Sequence, residues 1–130
     1  MPKTKAKRYP QSLLERMAET SGAIMKARAL VAMGMPELAA AAWLAAASGE
    51  EQVAPRLETL DRDQEAAVHR ISAASCYQHA GELAKAINLY RAALAGPLPE
   101  HTQKETQQLL AACLAQFARS GNGNTATHRP

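Results

Sequence analysis

An all-α fold of antiparallel helical hairpins, about five helices in all, is the architecture this sequence predicts, and three observations predict it. First, hydrophobic residues make up 47% of the 130-residue chain while aromatics reach only 4%, so the apolar content is mostly alanine with some leucine. Alanine is the strongest helix former, and its small side chain lets helix axes approach closely. Second, no useful stretch alternates polar and apolar with the period of a strand. Third, across Ala67 to Pro99 apolar or small residues recur at three- and four-residue steps on both sides of Ala80-Gly81-Glu82. Ala73, Ala74, Tyr77, Ala80, Leu83, Ala86, Ile87, Tyr90, Ala93 and Leu94 carry that stripe. It predicts two helices whose apolar faces meet across a tight turn.

The elements follow in order. Residues 1–9 are polar and basic and are expected to be disordered, ending at Pro10, which suits a helix start. Leu13, Leu14, Met17, Ala18, Ile24, Ala27, Leu30 and Val31 predict one long helix over 11–33, with Thr20-Ser21-Gly22 marking either a kink or a break. Gly34 closes it, and Pro36 opens a second helix to about residue 48, where Ser48-Gly49 predicts a stop. Trp43 is expected to fill the space left by its alanine neighbours. The third helix belongs to the hairpin stretch. A fourth helix over 83–95 ends at Gly96-Pro97. A fifth runs from Pro99 to about Arg119, its apolar stripe made of Leu109, Leu110, Cys113, Leu114 and Phe117. Thr102, Gln103, Lys104, Glu105, Gln107 and Gln108 give it a polar face, as expected of a helix capping the end of a core. The helical domain thus spans 10–119, and residues 120–130 are expected to be a second disordered tail.

An internal repeat underlies this layout. Aligning Gly34 with Gly81 places Ala27 on Ala74, Leu30 on Tyr77, Ala39 on Ala86, Trp43 on Tyr90 and Ala46 on Ala93. The excess within the repeat lies in Ala54 to Ala66 and is expected to lengthen the third helix or form a loop with an extra turn.

The stretch from Ala67 to Pro99 also resembles a tetratricopeptide repeat, a helix–turn–helix unit of 34 residues. Counting from Ala67, the family's small residue falls on Ala74, its aromatic on Tyr77 and its turn glycine on Gly81. The second-helix marks fall on Ala86, Tyr90 and Ala93, and the closing proline is displaced by one, to Pro99. The two repeats lie farther apart than the family's spacing, so a right-handed superhelix and a compact bundle both remain open. The resemblance implies a concave groove lined by the first helix of each hairpin, receiving a partner peptide or helix. Carried over position by position, it puts Ile24, Arg28 and Val31 on one groove helix and Ile71, Ser75, Gln78 and His79 on the next. The residues that hold a terminal carboxylate in chaperone-cofactor members are not evident. The implied protein is non-catalytic: a small adaptor or assembly factor binding another protein's peptide or amphipathic helix, or a second copy of itself as a homodimer.

Other chemistry has weaker support. His69, Cys76 and His79 stand at steps of seven and three, so a helix can bring them towards one side. A zinc site there needs a further ligand, Cys113 or His101, and a thiol enzyme needs a group to orient a histidine. Glu50-Glu51 and Asp61, Asp63 and Glu65 match no calcium loop and read as first-turn acids of the third helix. Phosphate-binding glycine loops are absent. The sequence calls for no cofactor and no metal. Lys3, Lys5, Lys7 and Arg8 set against a net charge of +3 leave residues 9–130 at −1, so the basic character belongs to the tail. That arm is the alternative route to function, through nucleic acid with steep salt dependence. Two cysteines inside helical patterns, without a secretory signal, predict reduced thiols in a cytoplasmic protein. No apolar run reaches the roughly 18 residues that span a membrane.

Overall fold

The computed structural model describes residues 8–127, with side chains through Ser120; the expected basic tail, apart from Arg8 and Tyr9, and the last three residues lie outside the described residues. Five helices follow one another: α1 (Gln11–Ala32), α2 (Pro36–Glu58), α3 (Asp63–His79), α4 (Leu83–Leu94) and α5 (Glu100–Thr127). No strand occurs among the described residues. Each helix packs chiefly on the one before it and the one after it. The result is an all-α bundle compatible with a helical repeat.

Three turns of one design join the first four helices. In each, an N–H just past the helix bonds a carbonyl five residues back: Met35 to Leu30 at 2.9 Å, Arg62 to Leu57 at 3.0 Å, Glu82 to Tyr77 at 2.8 Å. The residue before each donor must take a left-handed backbone. Gly34 (φ 74°) and Gly81 (φ 88°) do so freely, whereas Asp61 (φ 59°) does so as an acidic residue tolerated there better than most. The expected pairing of Gly34 with Gly81 is thus seen in the backbone. It is seen in burial as well, since Ala27, Ala74, Ala39, Ala86, Ala46, Ala93, Trp43 and Tyr90 are all buried.

The single long first helix is as expected, while other element boundaries are corrected. Helix α1 runs unbroken through Thr20-Ser21-Gly22; the Thr20 hydroxyl bonds the Arg16 carbonyl within the helix at 2.8 Å. The stop expected at Ser48-Gly49 does not occur. Gly49 is buried where α2 crosses α1, and a Cβ there would overlap the Thr20 side chain. The glycine therefore serves close helix approach rather than termination. The excess of Ala54 to Ala66 accordingly extends α2, which continues past Pro55 to Glu58, and α3 begins only at Asp63.

A proline inside a helix costs about 3 kcal/mol. Burial of Val53 and Leu57 in a second core with Leu13, Ala54 and Ala66 offsets that, at about 1.5–3 kcal/mol for each large side chain. Of the acids assigned to the start of α3, Asp63 and Glu65 lie in its first turn, whereas Glu50 and Glu51 lie within α2 and Asp61 in the turn. Helix α5 extends to Thr127, beyond the end expected near Arg119. Its apolar stripe is only partly used: Cys113 is fully buried, while Leu109, Leu114 and Phe117 stay exposed.

The main core joins α1 to α5 through Ala27, Ala42, Trp43, Ala46, Ala74, Tyr77, Ile87, Tyr90 and Cys113. Tyr9, just before α1, is held to the start of α3. Its ring lies under the Arg62 guanidinium, 4.2 Å from the centroid, and its hydroxyl bonds Glu65.

The Thr20–Gly49 crossing yields a direct test. Gly49→Ala should lower unfolding stability by about 1–3 kcal/mol despite the roughly 1 kcal/mol that alanine gains in a helix. Thr20 Cβ and Cγ2 crowd the added atom as well as Oγ1, and turning the hydroxyl away would break its bond to the Arg16 carbonyl. Urea denaturation should show the loss, and adding Thr20→Ala should recover part of it; an unchanged midpoint for Gly49→Ala would contradict the close crossing.

Candidate interaction furrow

Helices α3 and α5 run in the same direction with α4 behind them, and a furrow lies between them. Along it are two cavities. One, of about 290 Å³, is lined by Gln64, Glu65, Val68 and His69 of α3 with Pro99 and Thr102 at the start of α5. The second, of about 420 Å³, is lined by Ser75, Gln78 and His79 of α3, Leu109 and Gln116 of α5, and Tyr90 of α4. Three of the seven groove residues expected from the sequence therefore share one cavity.

A directed chain of hydrogen bonds forms its floor. Tyr90, fully buried, donates its hydroxyl to Gln78 Oε1 at 2.9 Å. Gln78 Nε2 in turn donates to Gln116 Oε1 at 3.0 Å. Burial first, and then the nearby Cys113 and Cys76 thiols, push the Tyr90 phenol up to about 12, so it remains a donor across the ordinary pH range. This chain ties three helices together where α3 and α5 otherwise barely touch.

His79 closes the neighbouring wall. Its ring stacks on Trp43, centroids 4.4 Å apart and 16° from parallel. Burial, and secondarily the charge of Arg28 on α1, lower its pKa below the usual histidine value. Arg28 itself lines neither cavity. Ile24 and Ile71 are half-buried and pack against the main core instead of lining the cavity, and Val31 is exposed on α1 outside both cavities. Tyr90, Leu109 and Gln116 were not anticipated. Reading α5 as an end cap hid Leu109 and Gln116, and reading Tyr90 of α4 only as a core residue hid its hydroxyl; the placement of α5 parallel to α3 is what makes it a wall.

The His69, Cys76 and His79 constellation does not assemble. His69 Nδ1 lies 2.9 Å from the buried Glu50 carboxylate, His79 stacks on Trp43, and Cys76 is buried in the core. Among the described residues no group of three or more His, Cys, Asp or Glu is placed to hold a metal ion. Burial, with Glu50 nearby, pushes the Cys76 thiol up to about 11, which disfavours the nucleophilic thiolate. Cys113 is likewise buried, and both cysteines are free thiols. No helix among the described residues is long and apolar enough to cross a membrane.

No family model matches this chain, and no curated protein or solved structure matches it either.

The His79 environment fixes a pH dependence. A histidine whose folded pKa is depressed stabilises the fold fully above its unfolded pKa, near 6.5, and loses that contribution as pH falls through the folded value. Wild-type protein should therefore lose stability on acidification from neutral pH relative to His79→Phe, which keeps the stack on Trp43. Urea midpoints of both proteins between about pH 7 and pH 5 check this. Parallel curves would contradict it.

Proposed function

We propose that this protein is a non-catalytic interaction module, a small adaptor or assembly factor, that receives a peptide or helix of another protein in the furrow between α3 and α5. The cavity between α3 and α5 carries this reading. It is open, built on rigid helices, and lined by a mixture of amides, a hydroxyl, an imidazole and the aliphatic Leu109. Such a mixture suits a polypeptide, which offers both main-chain polar groups and apolar side chains. The resemblance of Ala67 to Pro99 to a tetratricopeptide repeat supports the same use of the face. So does the recurrence of one turn design at the three joints from α1 to α4, as a helical repeat would have.

The chemistry of the alternatives is less favourable. Cys76 is buried and protonated, and His69 and His79 are committed to different neighbours. Trp43, a candidate base-stacking ring, is covered by His79.

The test uses exposed positions, so that the fold is retained. Leu109 stands 41% exposed at the cavity and Val31 56% exposed on α1. After partners from the source cells are identified by cross-linking to the full chain, Leu109→Arg should weaken the principal complex at least tenfold, about 1.4 kcal/mol. Val31→Asp should weaken it less, because that side chain lies outside the cavities. Unchanged affinity for Leu109→Arg, with an unchanged urea midpoint, would place the partner elsewhere.

A further inference from the structure

The outer face of α1 carries an apolar strip turned to solvent. Leu14, 43% exposed, and Met25, 70% exposed, lie on it with Ala18, Gly22 and Ala29, which are also exposed. Their steps of three and four residues draw one line along the helix. The opposite side, with Leu13, Thr20 and Ala27, is the buried one. Gly22 sits near the middle of the helix, where glycine is the poorest residue after proline. A Cβ there would meet nothing within 4 Å, so no crossing inside the chain accounts for it, in contrast to Gly49. Charges border the strip on its α2 side. Glu19 lines a cavity of about 240 Å³ between α1 and α2, and Lys26 lines an adjoining one of about 390 Å³. Ala23 and Ala45 belong to both cavities, so the two charges stand on one flank. Lys26 has no ion-pair partner among the described residues, and Glu19 meets Arg16 at 3.9 Å with both side chains exposed.

We infer that α1 pairs antiparallel with α1 of a second copy of this chain, the two helices crossing at Gly22. The charges select that occupant. Glu19 lies three residues before Gly22 and Lys26 four after it. An antiparallel crossing there sets Glu19 opposite the partner's Lys26, and two-fold symmetry makes the same pair a second time. A parallel copy would set like charges against each other. The apolar steps match as well: Met25 falls opposite the partner's Ala18 and Leu14 opposite the partner's Ala29, a large side chain against a small one each time. Glycine at the crossing lets the axes approach to about 8 Å. A lipid surface suits this face less, because the acids Glu15 and Glu19 border the strip. The contact is separate from the furrow, since none of its residues lines either cavity there.

Sedimentation equilibrium of the full chain between about 10 μM and 1 mM tests this. The average mass of wild-type protein should rise with concentration towards twice the 13.9 kDa of one chain, and no further. Gly22→Gln should weaken association at least about tenfold. Its urea midpoint, measured dilute, should be unchanged or higher, because the position is open and glutamine is the better helix former. Glu19→Lys and Lys26→Glu should each weaken association at least about threefold, the order expected of exposed ion pairs. The two substitutions in one chain should recover most of the loss. Within a single helix these side chains stand seven residues, about 10 Å, apart, so an internal pair does not explain recovery.

A wild-type chain that stays monomeric up to about 1 mM overturns the inference. So does a dimer that Gly22→Gln leaves as tight as before, which would place the contact on another face. Charge reversals that fail to compensate each other overturn the antiparallel register. None of these results bears on the furrow between α3 and α5, whose reading is tested by Leu109→Arg.

Discussion

The hydroxyl of Tyr90 is the group on which the site depends. Tyr90 is fully buried, where an unmet polar group costs about 1–3 kcal/mol, and its hydroxyl donates to the Gln78 amide. Satisfying that one hydroxyl orients Gln78, and Gln78 then orients Gln116 on the next parallel helix. Helices α3 and α5 share little direct packing, so this relay is the principal bond across the furrow. The same three side chains that hold the two walls at their spacing also decide what chemistry the walls present. Packing between the helices and the chemistry of the candidate site are coupled in a single chain of hydrogen bonds.

Behind the relay, small residues set the geometry. Alanine at the crossings of α1, α2, α3 and α4 lets the helices approach closely, and Gly49 against Thr20 takes that approach to its limit. The large side chains are few and placed between helices: Trp43 and Tyr90 at equivalent points of the internal repeat, Leu57 and Val53 in the smaller core. Trp43 then contributes beyond packing, since its face receives His79 and fixes that ring at the edge of the furrow. Core and surface are connected through one stacked pair.

Much of the fold was legible because glycine and alanine leave clear local signals. Gly34 and Gly81 mark left-handed turn positions, and the small residues around them recur in the right order, so two hairpins follow from pattern alone. What was not legible arises from tertiary contact. Ser48-Gly49 has the composition of a helix stop, yet the buried crossing with Thr20 keeps the helix going. Pro55 has the composition of a breaker, yet Val53 and Leu57 bury on either side of it. Asp61 carries no glycine signal, so the loop allowed for between Ala54 and Ala66 could not be positioned. Ser75, Gln78 and His79, named through the resemblance to a tetratricopeptide repeat, line one cavity. The roles of Tyr90 and Gln116 were not anticipated, because they come from a relay across three helices that no local pattern encodes. The steps linking His69, Cys76 and His79 are compatible with one side of a helix, but three different neighbours draw the side chains apart.

The most direct measurement is the side-chain amide NMR spectrum of wild-type protein and of Tyr90→Phe, which removes the hydroxyl and little else. If the relay orients the furrow, the Gln78 and Gln116 amide signals shift together on substitution, and amide protons held in the native protein exchange faster with water. The backbone spectrum of α1 and α2 should stay as it was. Gln116 signals that do not move when the Tyr90 hydroxyl is removed would show that its amide is oriented by something other than this chain of bonds.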